Sequence, residues 1–306
     1  MTTVRLTGWG SVLPDKTVTN TDLEGWLDTS DEWIRERTGI AERRVGSSTT
    51  ELAVAAAREA LERSPGPVDL VLVATITPDQ TTPATASVVQ AALGLDRCAA
   101  FDLHAACSGF VYGLVVARGL MATGMRRVLL VGAETLSRIT DWDDRETAVL
   151  FGDGAAAVVL EADDGPETLL GHHLGGDGHG AGLLYADRGA FLRMDGREVY
   201  RRAVRAMVES STAALAQAGV TAAEVDLFVP HQANRRIIEG AGDRLGIPVE
   251  RTAIVLERTG NTSAASIPLA LADALGSGRL TPGDLVLLSG VGAGLAWGSA
   301  VLRWQP

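Results

Sequence analysis

Hydrophobic and polar positions along this chain follow two rhythms. In ELAVAAAREALERS, Glu51 to Ser64, apolar residues recur every three or four positions with charges on the other side, which predicts an amphipathic helix. The next run, DLVLVATI, is apolar without a break and bounded by polar residues, which predicts a buried strand. SVVQAALGL then reads as a helix closed by Gly94, and CAAFDLHA as a strand leading to Cys107. From Cys107 the chain continues CSGFVYGLVVARGLMATG, apolar nearly all round, which predicts a helix buried on every side. Further helical patterns cover Arg202 to Ala218 and Arg235 to Leu245. Helices alternating with buried strands imply an α/β fold with helices covering sheets.

The pattern also repeats. VDLVLVA from Val68 is matched by VDLFVPH from Val225, an offset of 225 − 68 = 157. RVLLVGAE, with Val128, is matched by LVLLSGVG, with Val286, an offset of 286 − 128 = 158. Each half closes on a glycine-bearing strand pair, LFGDGAAAVVLEA from Leu150 and LSGVGAGLAWGSAVLRW from Leu288. Two matches at nearly one offset predict a duplicated unit, stacked as two sheets with helices between and outside.

Composition narrows the function. The 306 residues are 46% hydrophobic, enough for an ample core. No apolar run is long enough for a membrane span, and no charged segment followed by an apolar one marks a secretory signal, so neither is expected. Only two cysteines, Cys98 and Cys107, fit a reducing cytoplasm. A net charge of −11 argues against general nucleic-acid binding and requires a local basic patch for any acidic partner. No zinc-type Cys/His spacing and no glycine-rich phosphate loop is present, so neither metal nor nucleotide cofactor is expected.

Three short words carry candidate chemistry. AACSGF places Cys107 after a strand and at the start of a helix, where free amides and the helix dipole would lower its pKa and make it a nucleophile. A buried structural cysteine is the alternative, and it suffices for Cys98. VPHQAN puts His231 at a strand end, where α/β folds present side chains to ligands. RTGNTSAAS puts Asn261 at a loop-to-helix junction, where it could also simply cap the helix. Cys, His and Asn together suit a thiol hydrolase, or carbon–carbon bond formation from a thioester. The cysteine word lacks the preceding Gln and the CGSCW character of papain-like proteases.

DTSDEWIRERTGI, AACSGF, LFGDGAAAVVL, VPHQANRRII, RTGNTSAASIPLAL and GVGAGLAWGSA occur in one order along nearly the whole chain. In these words the sequence resembles β-ketoacyl-acyl-carrier-protein synthase III, the initiating condensing enzyme of bacterial fatty acid synthesis. The resemblance implies a thiolase-like five-layered αβαβα sandwich of two halves, residues 1–165 carrying Cys107 and residues 166–306 carrying His231 and Asn261. It implies that Cys107 is acylated by an acyl-CoA. His231 and Asn261 would then hold the thioester oxygen of malonyl-acyl carrier protein during decarboxylation, and the backbone amides of Cys107 and Ala293 would form the oxyanion hole. Trp33, Arg37 and Arg145 match CoA contacts, Thr82 an acyl-pocket position reaching toward the partner of a homodimer, and Arg235 and Arg236 a carrier-protein patch. Thiolases need a second cysteine as base, and none follows Cys107; loss of CO2 replaces it. Elongating synthases have a second histidine where this chain has Asn261. Thr82 stands where some members carry a bulky aromatic, which suggests a roomier pocket, and Arg197 replaces an asparagine common near the pantetheine tunnel. An acyltransferase passing its starter to a non-malonyl acceptor is the second reading.

Overall fold

The computed structural model describes residues 3–305, and it contains two mixed sheets of matching topology. We number the strands of these two sheets and the helices of eight residues or more. The first sheet contains β1 (Thr3–Val12), β2 (Leu70–Ala74), β3 (Ala99–Leu103), β4 (Arg127–Thr135) and β5 (Asp153–Asp163), in the order β1-β5-β4-β2-β3. The second contains β6 (Leu169–Gly176), β7 (Leu227–Pro230), β8 (Leu285–Gly292) and β9 (Ala296–Arg303), in the order β6-β9-β8-β7. In the orders given, the first two pairings of each sheet are antiparallel and those that follow are parallel. The parallel register repeats as well, Leu70 beside Val128 and Leu227 beside Val286. A fifth strand survives in the second sheet only as a parallel bridge from Phe228 to Thr252.

The helices are α1 (Asp31–Thr38), α2 (Thr49–Arg63), α3 (Thr85–Ala92), α4 (Gly109–Met121), α5 (Gly196–Ala218), α6 (Arg235–Leu245) and α7 (Ser266–Gly276). α4 and α7 each touch both sheets and form the central layer. That position explains their nearly uniform hydrophobicity. α2 and α3 cover the outer face of the first sheet, and α5 and α6 that of the second. Five layers result. The alternation in β4 sorts its side chains by layer: Leu129, Val131 and Ala133 face α2, while Val128 and Leu130 face the central core.

Two expectations need correcting. LFGDGAAAVVLEA is not a strand pair but forms the single strand β5, whose partners are β1 and β4. Cys107 does not open α4 directly. It sits in a 3-10 turn, Ala106–Ser108, which α4 follows from Gly109. This turn begins at Ala106 with φ 46°, and a second begins at Ser263 with φ 47°, at the matching position before α7. Left-handed backbone at a non-glycine residue is uncommon, and here the duplication carries it twice, 263 − 106 = 157 residues apart.

Candidate active site

The two 3-10 turns meet at the centre of the molecule, and a cavity of about 800 Å³ opens beside them. Cys107, His231 and Asn261 all line it, although the sequence spreads them over 155 positions (261 − 107 = 154 apart). Cys107 is 8% exposed, toward this cavity. Burial pushes its thiol up to about 12; the Ser263 hydroxyl lowers it and the charge of Glu134 raises it. The expected lowering by the helix start is therefore outweighed by desolvation. Left to itself, the thiol keeps its proton at neutral pH.

His231 follows the last residue of β7, and its amide still bonds the Ser289 carbonyl of β8 at 2.7 Å. Its ring Nδ1 lies 2.6 Å from Ser266 Oγ. Burial holds the imidazole down to about 3, so it is neutral. The next residue, Gln232, is fully buried and fully bonded. It donates to the carbonyls of Pro230 and Ala253 and accepts the amides of Val255 and Leu256. That clamp fixes where the chain turns after His231. Asn261 is set by its backbone, which bonds Leu150 and Gly152 across a bridge to Phe151. Its Oδ1 accepts the Ser263 amide at 2.9 Å, so it caps the 3-10 turn as one reading expected. The same bond leaves the two Nδ2 hydrogens as donors for the cavity.

Ala293, in the turn between β8 and β9, also lines the cavity. Beside it Gly292 has no room for a side chain, because a Cβ there would come within 2.5 Å of the Cys107 amide nitrogen. The inner wall is apolar, with Ile76, Leu136, Phe151, Leu184 and Leu192. The opposite rim carries Trp33, Arg37, Arg197 and Arg236. Arg37 and Arg145 both lie over the Trp33 ring, 5.8 and 5.0 Å from its centroid. A flat ring with guanidinium groups suits a nucleotide base. Arg145 is not part of the cavity wall itself; it also donates to the Asp28 carbonyl at 2.8 Å.

The remaining sequence candidates divide. Arg236 reaches the rim and stacks on Tyr200, 5.8 Å from its ring. Arg235 points away and pairs with Glu239 along α6. Thr82 is exposed and does not line the cavity within one chain. Cys98 is half-buried, bonds the Leu95 carbonyl and is outside the cavity. Among the described residues no group of three or more His, Cys, Asp or Glu is arranged to hold a metal, and no helix is long and apolar enough to cross a membrane.

Sequence reasoning missed several residues. Arg201, Arg205 and Arg244 join Arg197, which the sequence had singled out, in lining a second cavity that shares Asp195, Arg197 and Tyr200 with the first. Charges spaced along one face of α5 were the available signal. Glu134 was read only as part of a strand word, though it falls in phase with the core-facing residues Val128 and Leu130. An ionisable residue on that face was the signal.

Residues 215–304 match the family model described as 3-oxoacyl-(acyl-carrier-protein) synthase III C terminal, and residues 101–186 match the 3-oxoacyl-(acyl-carrier-protein) synthase III model. The chain is 49% identical over 308 residues to β-ketoacyl-(acyl-carrier-protein) synthase III 1 of Bacillus anthracis, covering 98% of this chain and 99% of that protein. It superposes on the crystal structure of 3-oxoacyl-(acyl-carrier-protein) synthase III from Aquifex aeolicus VF5 with a TM-score of 0.97 at 45% identity, covering 98% and 100% of the two chains. The priming β-ketosynthase of the R1128 polyketide pathway superposes with a TM-score of 0.93 at 38% identity, covering 99% and 96%.

Proposed function

The chain belongs to the β-ketoacyl-acyl-carrier-protein synthase III family, and from this premise we propose that Cys107, His231 and Asn261 run its initiating condensation. The enzyme is an acyl-transferring condensing enzyme of thiolase-like fold. In the first half-reaction Cys107 Sγ attacks the thioester carbon of an acyl-CoA. The amides of Cys107 and Ala293 receive the charge that develops on oxygen, and CoA leaves. The acyl chain then occupies the apolar side, against Leu136, Phe151 and Leu192.

In the second half-reaction a malonyl thioester on acyl carrier protein enters by the same mouth. Asn261 Nδ2 and His231 Nε2 donate to its thioester oxygen. Loss of CO2 leaves an enolate held by these two donors, and its carbon attacks acyl-Cys107. A neutral His231 with the Ser266 hydroxyl donating to Nδ1 carries its proton on Nε2, the form this step needs. No metal or redox group takes part in these steps. The carrier protein is acidic by this reading, and Arg236 with Arg201 and Arg244 offers it a basic rim.

The same reading makes the enzyme a homodimer. β3 is the outermost strand of its sheet, with Phe101 38% exposed, and such an edge invites a second copy. Thr82, in the segment before α3, then reaches the partner's acyl pocket, and a small residue there admits longer or branched starters.

The observation that carries the proposal is the convergence of Cys107, His231 and Asn261 on one cavity. The test is CO2 release from malonyl-acyl carrier protein. Asn261→Ala should still form acyl-enzyme but release CO2 at least about 100-fold more slowly, the scale of losing one aligned donor. Acyl transfer without any CO2 release in the native enzyme would instead support an acyltransferase with a non-malonyl acceptor.

A further inference from the structure

Behind Cys107 lies a carboxyl group for which the condensation above has no use. Glu134 is fully buried on the central face of β4. Its Oε2 accepts from the Thr75 hydroxyl at 3.1 Å, the Ile76 amide at 3.0 Å, the Thr77 amide at 3.1 Å and the Thr77 hydroxyl at 2.6 Å. Its Oε1 is equally buried and has no hydrogen-bond partner. The Ser263 hydroxyl is in the same situation, buried and without a hydrogen-bond partner. Buried polar atoms left without partners are costly and uncommon. The turn Ser263–Ala265 packs against both the Ala106–Ser108 turn and β4, and Ser263 lines the same cavity as Cys107, so Ser263 lies on the segment between the thiol and Glu134. Its amide, meanwhile, holds Asn261.

We propose that the Ser263 hydroxyl joins Cys107 to Glu134, so that thiol and carboxyl share one proton and Glu134 keeps it while Cys107 acts as nucleophile. The proposal rests on Cys107 being the acylated residue. A thiolate and a carboxylate cannot both persist in so dry a site, because each charge penalises the other. Moving one proton between them keeps the total charge constant. The Cys107 S–H bond breaks and its proton passes to Ser263 Oγ, while the Ser263 proton passes to Glu134 Oε1. Sγ bonds the acyl carbon, the bond to the CoA sulfur breaks, and the CoA thiolate takes a proton from water. After condensation Cys107 leaves as a thiolate, and Glu134 returns the proton through Ser263.

Other charges near this pair are accounted for. His231 across the cavity is neutral. Asp153, on the neighbouring strand β5, bonds Ser137 and the Gly46 amide. Arg138 pairs with Asp79, which also accepts the amides of Thr49 and Thr50. Glu134 itself is pushed up to about 7 by burial, in reach of the working pH. In this scheme Ser263 exchanges a proton with the reacting sulfur, whereas Glu134 acts through Ser263 and is a positioning residue.

The test is the pH dependence of Cys107 alkylation by iodoacetamide, read by peptide mass. In the native enzyme the rate should climb with pH and level off above about 7, where the shared site has lost its first proton. In Glu134→Gln it should keep rising about tenfold per pH unit, because only the thiol then titrates. Identical profiles, or no break in the native enzyme, overturn the proposal. If Glu134→Gln does not fold, Ser263→Ala decides, since it leaves the four donors of Glu134 in place. It should slow acylation by acyl-CoA about 100-fold with KM unchanged; an unchanged rate overturns the proposal. An acyl group that never lands on Cys107 overturns the nucleophile assignment as well. Acylation of Cys107 without the pH break overturns the shared proton alone.

Discussion

Each residue of the triad is fixed by something other than itself. Cys107 is placed by a left-handed Ala106, Asn261 by the Ser263 amide, and His231 by the clamp of Gln232 and by Ser266. Burial sets the protonation states, and for His231 this has a testable sign. The folded imidazole sits near 3 and the unfolded one near 6.5. Below about pH 6.5 the unfolded chain binds a proton that the fold refuses, so His231 removes stability as pH falls. Between pH 6.5 and 5, His231→Gln should therefore lose less Tm than the native protein. Equal losses by calorimetry would mean that His231 is charged in the fold. The sequence made the three reactive residues legible through their words. Glu134 showed only as a charge in phase with the core-facing positions of β4, and nothing in GAETLSR or GNTSAAS says that this strand packs against the turn carrying Ser263.

At the scale of elements, two short turns hold the site, and both are packed at backbone distance. Gly132 of β4 faces the turn before α7, and a Cβ there would lie 2.5 Å from the Ala264 carbonyl oxygen. Gly132→Ala must therefore push that turn, which carries Asn261 and Ser263. We expect a loss of about 1–3 kcal/mol by denaturant titration, the usual cost of overpacking. A loss near zero would mean that the turn moves freely. Strands and long helices were readable from their periodicity, α4 and α7 especially, because burial on both sides leaves them almost without polar residues. The 3-10 turn at Cys107 was not. AACSG looks like a helix start, and only tertiary contact makes its first turn tighter. The same contact buries the sulfur, so the pKa moved opposite to the sequence expectation.

At the scale of the molecule, duplication is what brings distant residues together. It places Cys107 and the 261–263 segment at matching positions of two half-molecules, so the site forms where the two central helices begin. This organisation was legible as offsets of 157 and 158 residues, while the basic cavity between α5 and α6 was not, because only tertiary packing brings Arg244 of α6 to the arginine-bearing face of α5. The proposed dimer belongs to this scale too. Phe101→Lys should put a charge on the open edge of β3 and turn the dimer into a monomer by native mass spectrometry; an unchanged dimer would place the interface elsewhere. The central claim is that the starter is carried on one buried sulfur. Intact-protein mass spectrometry after incubation with a panel of acyl-CoAs tests it most directly. The native enzyme should gain one acyl mass that maps to Cys107, and Cys107→Ser should gain none. An acyl adduct of equal size on the Cys107→Ser protein would contradict the account.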